Sequence, residues 1–369
     1  MNRIALAGAI AMLALVQGCA HLASEPIAMQ RDTSFGPVVG TDASASKATY
    51  SWKGVPFAHP PVGDLRWKAP VDPDHWTKAR TATAFAPACV QTGRLYSPGA
   101  SNGYDETIGS RLGKTVGSED CLYLNIWAPS APSDTPRPVI VWIYGGSNIT
   151  GYTADPVYNG SALAKSQNAV VVSIPYRLGI FGFLNVAQLK TGNAEDDSGN
   201  FALLDIVKGL EFVQHNIASF GGDPRRVTLM GQSAGAVNVY ALLASPMLVA
   251  RTKPLFQRVV ALSGGISTAG TLPKGSIPGV LPASVWAKRG NTLLLQSLVA
   301  DGQAMDEDAA RALIETRGAQ AMVAYLRGRS ADALLTSLHT RLAPWGMATS
   351  NPIPDGWVVA PDPIAAIRE

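Results

Sequence analysis

Short apolar runs alternate with amphipathic stretches along most of the chain. Pro138–Ile143 and Ala169–Ile174 are apolar throughout and rich in β-branched residues, which predicts strands buried on both faces. The next segment, residues 201–217, repeats apolar positions at helical spacing. Two further short runs that predict strands follow it, Val227–Met230 and Arg258–Leu262. This alternation predicts an α/β fold with a mostly parallel sheet and helices on both faces.

The pattern changes over residues 283–342, where apolar positions recur only at helical spacing. Asp308–Thr316 and Ala331–Leu342 are the clearest of these amphipathic runs. The chain contains no internal repeat, low-complexity tract or strong linker. We therefore predict one domain over residues 20–369, with a helical insertion at about 283–342 rather than a second domain.

The first nineteen residues have the pattern of an export signal. Arg3 is followed by the apolar run Ile4–Val16, which is too short to span a membrane comfortably, and then by the small residues around Cys19. The segment 16–19 resembles a bacterial lipobox, in which the cysteine is lipidated, and plain secretion is the alternative. A buried N-terminal helix is a third interpretation, but the run has no polar face. We predict a signal peptide over 1–19 and a periplasmic, lipid-anchored or secreted protein, whose lipidated Cys19 would attach it to a membrane.

Composition excludes several functional classes. The chain has 369 residues, of which 47% are hydrophobic and 15% charged, with a net charge of +3. That length allows a large core, and the charged fraction gives no sign of disorder. The basic residues are scattered, so nucleic-acid binding gains no support. We expect no metal and no organic cofactor, because there is no His/Cys ligand cluster and no Gly-x-Gly-x-x-Gly loop.

Cysteine usage is consistent with export. Once Cys19 is assigned to the signal, Cys89 and Cys121 remain as the one possible intrachain pair. In an oxidising compartment we expect them to be bridged, and two unrelated buried thiols are the alternative.

A candidate nucleophile lies in the pentapeptide Gly231-Gln232-Ser233-Ala234-Gly235, after a strand and before the helical run 234–244. A sharp strand-to-helix turn between small residues holds a serine exposed above the sheet, and the helix start offers free N–H groups to a developing negative charge. The alternative is an ordinary glycine-rich turn. Gly145-Gly146, which follows an earlier strand, favours the nucleophile because it can supply further oxyanion donors. If Ser147 has a left-handed backbone, the strain is about 1–2 kcal/mol.

Five stretches together resemble the type-B carboxylesterase and cholinesterase-like group of α/β-hydrolases. In chain order they are KGVPFA at 53–58, PPVGDLRW at 60–67, SEDCLYLNIWAP at 118–129, VVVSIPYRLGIFGFL at 170–184 and NIASFGGDPRRVTLMGQSAG at 216–235. The resemblance implies an α/β-hydrolase fold and a serine esterase activity.

The resemblance also implies roles for individual residues. It makes Ser233 the nucleophile, makes Gly146, Ser147 and Ala234 the oxyanion donors, and implies a disulfide between Cys89 and Cys121 and a pair between Arg66 and Glu119.

Two departures from the family pattern bear on the substrate. The family has a third glycine where this chain has Ser147. The segment between the two cysteines contains Tyr96 and Tyr104 but no tryptophan to hold a quaternary ammonium group, which argues against choline esters.

The general base is missing from the expected place. In this fold the triad runs serine, acid, histidine, and of the five histidines only His339 follows Ser233. His339 lies beside an apolar stripe, which is more typical of a surface residue than of a catalytic one. Among the later acids, Asp355, Asp362 and Glu369 match no acid motif of the family. We therefore expect the chain to correspond to the first two-thirds of an esterase, with the C-terminal part of the fold missing.

The leading prediction is a carboxylic ester hydrolase that acts through Ser233 and an acyl-enzyme intermediate on a small-molecule ester. The alternatives are a non-catalytic cholinesterase-like binding module and an inactive N-terminal fragment of an esterase. The retained serine and its flanking glycines favour the esterase over the binding module.

Overall fold

The computed structural model of the chain describes residues 29–99, 103–104, 106, 109–268 and 279–368. The predicted signal segment and Cys19 lie outside these residues. No helix in the described ranges combines the length and the apolar character needed to cross a membrane.

The strands lie in one large sheet and two small ones. They are β1 Gln30–Asp32, β2 Pro37–Val39, β3 Thr41–Ala43, β4 Thr49–Pro56, β5 Arg80–Thr81, β6 Gln91–Thr92, β7 Thr115–Val116, β8 Tyr123–Pro129, β9 Arg137–Ile143, β10 Val170–Ser173, β11 Gly222–Gln232 and β12 Arg258–Leu262. The large sheet has seven strands in the order β12-β11-β9-β10-β8-β4-β3, while β1, β2 and β5 form a second sheet and β6 pairs with β7.

The large sheet is mixed. Its β9 to β12 half is parallel, as predicted, but β8 pairs antiparallel with β10 and β4, and β4 pairs antiparallel with β3. The connection between β3 and β4 is only a few residues long, and such a link joins antiparallel neighbours because a parallel crossover needs a dozen residues or more. The prediction of a mostly parallel sheet therefore describes the half that carries the candidate nucleophile.

The helices include those predicted over 201–217, over 234–244 and within 283–342. They are α1 Ser44–Lys47, α2 Ser161–Gln167, α3 Gly179–Gly182, α4 Ala194–Asp197, α5 Phe201–Asn216, α6 Ala234–Leu243, α7 Pro246–Val249, α8 Ala283–Ala300, α9 Glu307–Gly328, α10 Ala331–Ser337 and α11 Pro363–Arg368. Each parallel connection of the large sheet contains at least one of them, because neighbouring parallel strands need a long crossover, which is usually helical.

Helices cover both faces of the sheet. Along β10, Val170 and Val172 pack in the main core with α5, whereas Val171 points the other way and packs with Trp127 and Ala164. Ala164 belongs to α2. Successive residues of a strand face opposite sides, so α5 and α2 must lie on opposite faces of the sheet.

The run 283–342 is helical, and its helices pack around an apolar cluster of their own. Leu294 of α8, Met322 of α9 and Leu334 of α10 are fully buried there together with Trp67 and Phe181. A break at Gly318, with φ of 76°, divides α9. The chain continues from α10 into a π-helical turn, Leu338–Leu342, that contains His339. That this unit is an insertion within one domain stays a prediction.

Candidate functional site

Ser233 lies in a sharp turn between β11 and α6. Its backbone has φ of 53° and ψ of −122°, a strained combination for a residue with a side chain. A Cβ at position 231 would lie 2.4 Å from the carbonyl oxygen of Gly235, and a Cβ at position 235 would lie 2.3 Å from that of Ile143. Both flanking glycines are therefore required by close backbone contacts, which explains the pentapeptide physically.

The turn is held by the neighbouring strand and the following helix. The N–H of Ser233 donates to the carbonyl of Leu262, the last residue of β12, at 2.8 Å, and the carbonyl of Ser233 accepts from the N–H of Val237 at 3.1 Å. Strain of this kind costs about 1–3 kcal/mol and persists only where the surroundings impose it.

The loop after β9 reaches the same place. A Cβ on Gly145 would lie 2.9 Å from the Cβ of Ser233, so the two segments are in close contact. Gly146 has φ of 112°, and its carbonyl accepts from the N–H groups of Ile149 and Thr150, both at 3.1 Å. Ser147 has φ of 56°, the left-handed conformation considered from the sequence. The serine that replaces a glycine here therefore adopts a strained backbone.

Three backbone N–H groups near Ser233 are left for a ligand. Within the described part of the chain, the N–H groups of Gly146, Ser147 and Ala234 donate to no protein acceptor. Gly146 and Ser147 come from one side of Ser233, and Ala234 begins helix α6 on the other. Free donors beside a serine suit an oxyanion, because N–H groups held in advance need no reorganisation when charge develops.

Two cavities meet at Ser233. The first has a volume of about 730 Å³ and is lined by Gly145, Gly146 and Tyr158 among others. The second, of about 590 Å³, is lined by Ala234 and by small or neutral polar residues. Arg94, Ser147, Ile149 and Ser233 line both. The serine and the candidate oxyanion donors are thus open to a ligand with room on each side.

A buried amide pair joins the loop after β9 to helix α6, which follows Ser233. Asn148 has φ of 58° and, like Asn238 of α6, is fully buried. The Nδ2 of Asn238 donates to Oδ1 of Asn148 at 2.9 Å, and the Nδ2 of Asn148 donates to Oδ1 of Asn238 at 3.3 Å. The two residues are 90 positions apart. Sequence reasoning missed this pair. The one signal was Asn148 itself, because asparagine tolerates the left-handed backbone region better than most residues do.

The side chain of Gln91 also holds this loop, through hydrogen bonds to Thr150 and Gly151. Its buried side chain accepts from Oγ1 of Thr150 and the N–H of Gly151, both at 2.9 Å, and donates to the carbonyls of Gly151 and Cys89 at 2.9 Å. All four bonds are made by one amide, so Gln91 connects the oxyanion loop to Cys89. This role was also missed, because nothing local in the sequence indicates it.

Both pairings implied by the family resemblance are present. Cys89 and Cys121, which are 32 positions apart in the chain, form a disulfide. Arg66 contacts Glu119 through two hydrogen bonds, Nε to Oε2 at 2.7 Å and Nη2 to Oε1 at 2.5 Å. Arg66 also donates to carbonyls at the end of α9, so this pair joins the helical unit to the rest of the fold.

His339 is not placed as a base for Ser233. Its Nε2 lies 2.7 Å from Oγ1 of Thr92, and the residue lines neither of the two cavities at the serine. Burial, and to a smaller extent the charge of Arg94, lower the pKa of His339. The two described acids that follow it in the chain also have structural partners. Asp355 accepts from the N–H groups of residues 357–359, and Asp362 accepts from the N–H groups at the start of α11.

Burial raises the pKa of Asp355 although its backbone donors oppose the shift. Neither acid reaches Ser233, since neither lines a cavity beside it. In the described ranges no group of three or more His, Cys, Asp or Glu side chains is close enough to hold a metal ion.

Known proteins that are similar to this chain include several esterases. Residues 28–369 match the family model described as the carboxylesterase family. The fumonisin B1 esterase of Sphingopyxis macrogoltabida is 41% identical over 66% of this chain and 42% of its own length. The para-nitrobenzyl esterase of Bacillus subtilis is 41% identical over 64% of this chain and 44% of its own length. Carboxylesterase 1E of Mus musculus is 40% identical over 73% of this chain and 45% of its own length.

Solved structures agree with these relatives. A para-nitrobenzyl esterase structure superposes with a TM-score of 0.70 at 32% identity, covering 92% of this chain and 59% of that one. A Geobacillus stearothermophilus carboxylesterase superposes with a TM-score of 0.67 at 29% identity, covering 92% of this chain and 60% of that one. The chain spans less than half the length of the curated relatives it matches. The fold is that of the α/β-hydrolases, as predicted, and the chain belongs to the carboxylesterase family.

Proposed function

We propose that the protein hydrolyses carboxylic esters, with Ser233 as the nucleophile. The Oγ of Ser233 attacks the ester carbonyl carbon, and the negative charge that forms on the carbonyl oxygen is bound by the N–H groups of Gly146, Ser147 and Ala234. The carbon–oxygen bond to the alcohol then breaks, and the alcohol takes up a proton. Water next attacks the acyl-serine, which releases the carboxylic acid and returns the proton to Oγ.

One observation carries this proposal. A strained serine lies between two cavities, with three backbone donors that have no other acceptor in the described residues. A strained turn in a stable protein is kept where the surroundings impose it, and such turns cluster at functional sites. The conformation and the donors together fit acyl transfer better than they fit an ordinary turn.

The expected rate depends on whether a base can take the proton of the Ser233 hydroxyl. None of the described histidines lines a cavity beside the serine. Loss of a triad base costs on the order of 10⁶ in turnover, while oxyanion donors and binding retain about 10³–10⁴ over the reaction in water. We therefore expect the 369-residue chain to turn over esters slowly but measurably.

Hydrolysis of 4-nitrophenyl butyrate tests the proposal. The initial rate, measured by release of 4-nitrophenolate, should fall to that of buffer in Ser233→Ala. Ser166→Ala is the matched control, because Ser166 is an exposed serine of α2 with no place in the cavities. A rate that survives Ser233→Ala would assign the activity to another group. A wild-type rate equal to buffer would favour the rival function, a non-catalytic binding module on the same fold.

We also propose that the protein is exported, with residues 1–19 removed as a signal and Cys19 lipidated. The disulfide between Cys89 and Cys121 supports an oxidising compartment. Mass spectrometry of the mature N-terminal peptide tests this, and the expected product is a diacylglyceryl-modified Cys19. An unmodified new N-terminus near residue 20 would indicate plain secretion, and an intact Met1 would contradict export.

A further inference from the structure

Arg94 places a positive charge beside the candidate nucleophile, and none of the described residues pairs with it. It lines both cavities that meet at Ser233. In the part of the chain that the structure describes, its guanidinium makes no hydrogen bond and no ion pair. An arginine side chain has five N–H donors in a fixed planar fork, and the fork matches the two oxygens of a carboxylate.

The backbone of Arg94 is held in place although its side chain is exposed. Its N–H donates to Oγ of Ser97 at 2.8 Å, and the same hydroxyl donates back to the carbonyl of Arg94 at 2.8 Å. Ser97 is buried. Two positions earlier in the chain, strand β6 ends at Thr92 after the buried Gln91, which is bonded to the oxyanion loop. The base of the side chain is thus fixed relative to Ser233.

Few other charges compete at the cavities. Among the described residues, Asp155 is the one acid that lines the first cavity, and its Oδ1 accepts from the N–H of Val157 at 3.0 Å. The described lining of the second cavity contains no ionisable residue other than Arg94, and its polar members are neutral, such as Ser263 and Asn351. His339 lines a third and much smaller cavity together with Arg94, and burial lowers its pKa, which favours the uncharged imidazole. An anion in the second cavity would therefore meet one cation and no carboxylate.

We propose that Arg94 binds a carboxylate on the ester substrate, so that the preferred substrates are esters that carry a free carboxylate besides the bond to be cleaved. This inference rests on the proposed esterase function. A single arginine without a second cation matches a singly charged carboxylate better than a phosphate dianion, and the planar fork suits its two oxygens. Because Arg94 lines both cavities, the carboxylate can belong to the acyl or to the alcohol part.

Two matched pairs of esters test the inference. On the acyl side, the pair is mono-4-nitrophenyl adipate and its methyl ester, which share a leaving group and differ in one charge. On the alcohol side, the pair is 4-acetoxybenzoate and its methyl ester. For each pair the measured quantity is the ratio of kcat/KM for the anionic ester to kcat/KM for the neutral ester. The ratio should fall about tenfold in Arg94→Gln for at least one pair. In the wild type the ratio should also fall as the salt concentration rises, because salt screens the exposed charge of Arg94.

The control is Arg258→Gln, which removes the same charge from an exposed position on β12 that lines neither cavity. Its ratio should equal that of the wild type. Ratios that are unchanged in Arg94→Gln for both pairs, or that fall equally in Arg258→Gln, would overturn the inference.

Equilibrium binding separates this inference from the proposed function. Titration calorimetry with monomethyl adipate, which contains no activated ester, should show binding to the wild type that weakens about tenfold in Arg94→Gln. If no ester is hydrolysed but this binding is lost in Arg94→Gln, the carboxylate site stands and the esterase function fails. If esters are hydrolysed through Ser233 but the binding is the same in both proteins, the esterase function stands and the carboxylate site fails.

Discussion

Replacement of Asn148 by aspartate should make the stability of the protein depend strongly on pH. The change is nearly isosteric, but it removes the Nδ2 donor that serves Oδ1 of Asn238 and introduces an ionisable group at a fully buried position. The surviving bond runs from Nδ2 of Asn238 to position 148. Once the new carboxyl ionises, two oxygens face each other without a proton between them.

The magnitude follows from two contributions. Leaving a buried acceptor without its donor costs about 1–3 kcal/mol. Burial of the ionised carboxylate costs several kcal/mol more, which raises the pKa of the introduced group above its value of about 3.9 in the unfolded chain. A group whose folded pKa is raised contributes stability that is fully present below the unfolded pKa and is lost as pH rises through the folded pKa. The variant should therefore approach wild-type stability near pH 4 and lose about 3 kcal/mol or more at pH 8.

Thermal unfolding between pH 4 and pH 8 measures this effect. The difference in Tm between wild type and Asn148→Asp should grow with pH to at least about 5 °C. The matched control is Asn193→Asp, since Asn193 is exposed and its side chain only accepts hydrogen bonds, from the N–H groups of residues 195 and 196. Aspartate accepts them equally well, so that variant should follow the wild type.

Esterase rates give a second readout that is specific to the oxyanion loop. If the amide pair positions the donors beside Ser233, kcat of the Asn148→Asp variant should fall as the pH rises, while KM changes little. The rates are measured at temperatures below the Tm of the variant. A Tm difference that is constant from pH 4 to pH 8 would refute the reasoning about burial. A shifted Tm with unchanged kcat would limit the pair to a structural role.

Three further predictions concern the supports of the site. Removal of the disulfide by substitution of Cys89 and Cys121 with serine should cost roughly 3–4 kcal/mol for a loop of this length, seen as a lower urea midpoint, and an unchanged midpoint would contradict it. Arg66→Lys should cost about 2 kcal/mol or more because lysine cannot keep the two-bond contact and the carbonyl contacts, whereas Arg311→Lys, at a half-exposed pair on α9, should cost under about 0.5 kcal/mol. Equal losses in these two variants would refute that argument. The lowered pKa of His339 means that the unfolded state binds its proton more tightly, so Tm should fall as pH drops below about 6.5, and less steeply in His339→Gln; parallel curves would contradict this.

Local sequence was sufficient for the elements that carry the nucleophile. The period of apolar residues predicts β9, β10 and α5 because burial on one or two faces depends only on neighbours a few positions away. The glycines around Ser233 were equally readable, since a sharp strand-to-helix turn leaves no room for a Cβ at positions 231 and 235. The antiparallel half of the sheet was not readable, because the same alternation fits either strand direction.

The contacts that hold the site together were decided only by the tertiary structure. Asn148 and Asn238 are 90 positions apart and meet only when α6 packs beside the loop after β9. Thr92 and His339 are 247 positions apart and meet only when the helical unit packs against β6. Nothing in either local stretch specifies the other, because amide and hydroxyl groups accept many partners.

The same reason applies to Arg94. Its charge is evident from the sequence, but its lack of a partner among the described residues and its place between two cavities are properties of the packed chain. The sequence by itself predicted the candidate nucleophile, its turn and the candidate oxyanion loop, since these depend on backbone geometry within a few residues. The tertiary structure decided which side chains hold that loop and which charge lines the two cavities, since these depend on groups brought together from distant parts of the chain.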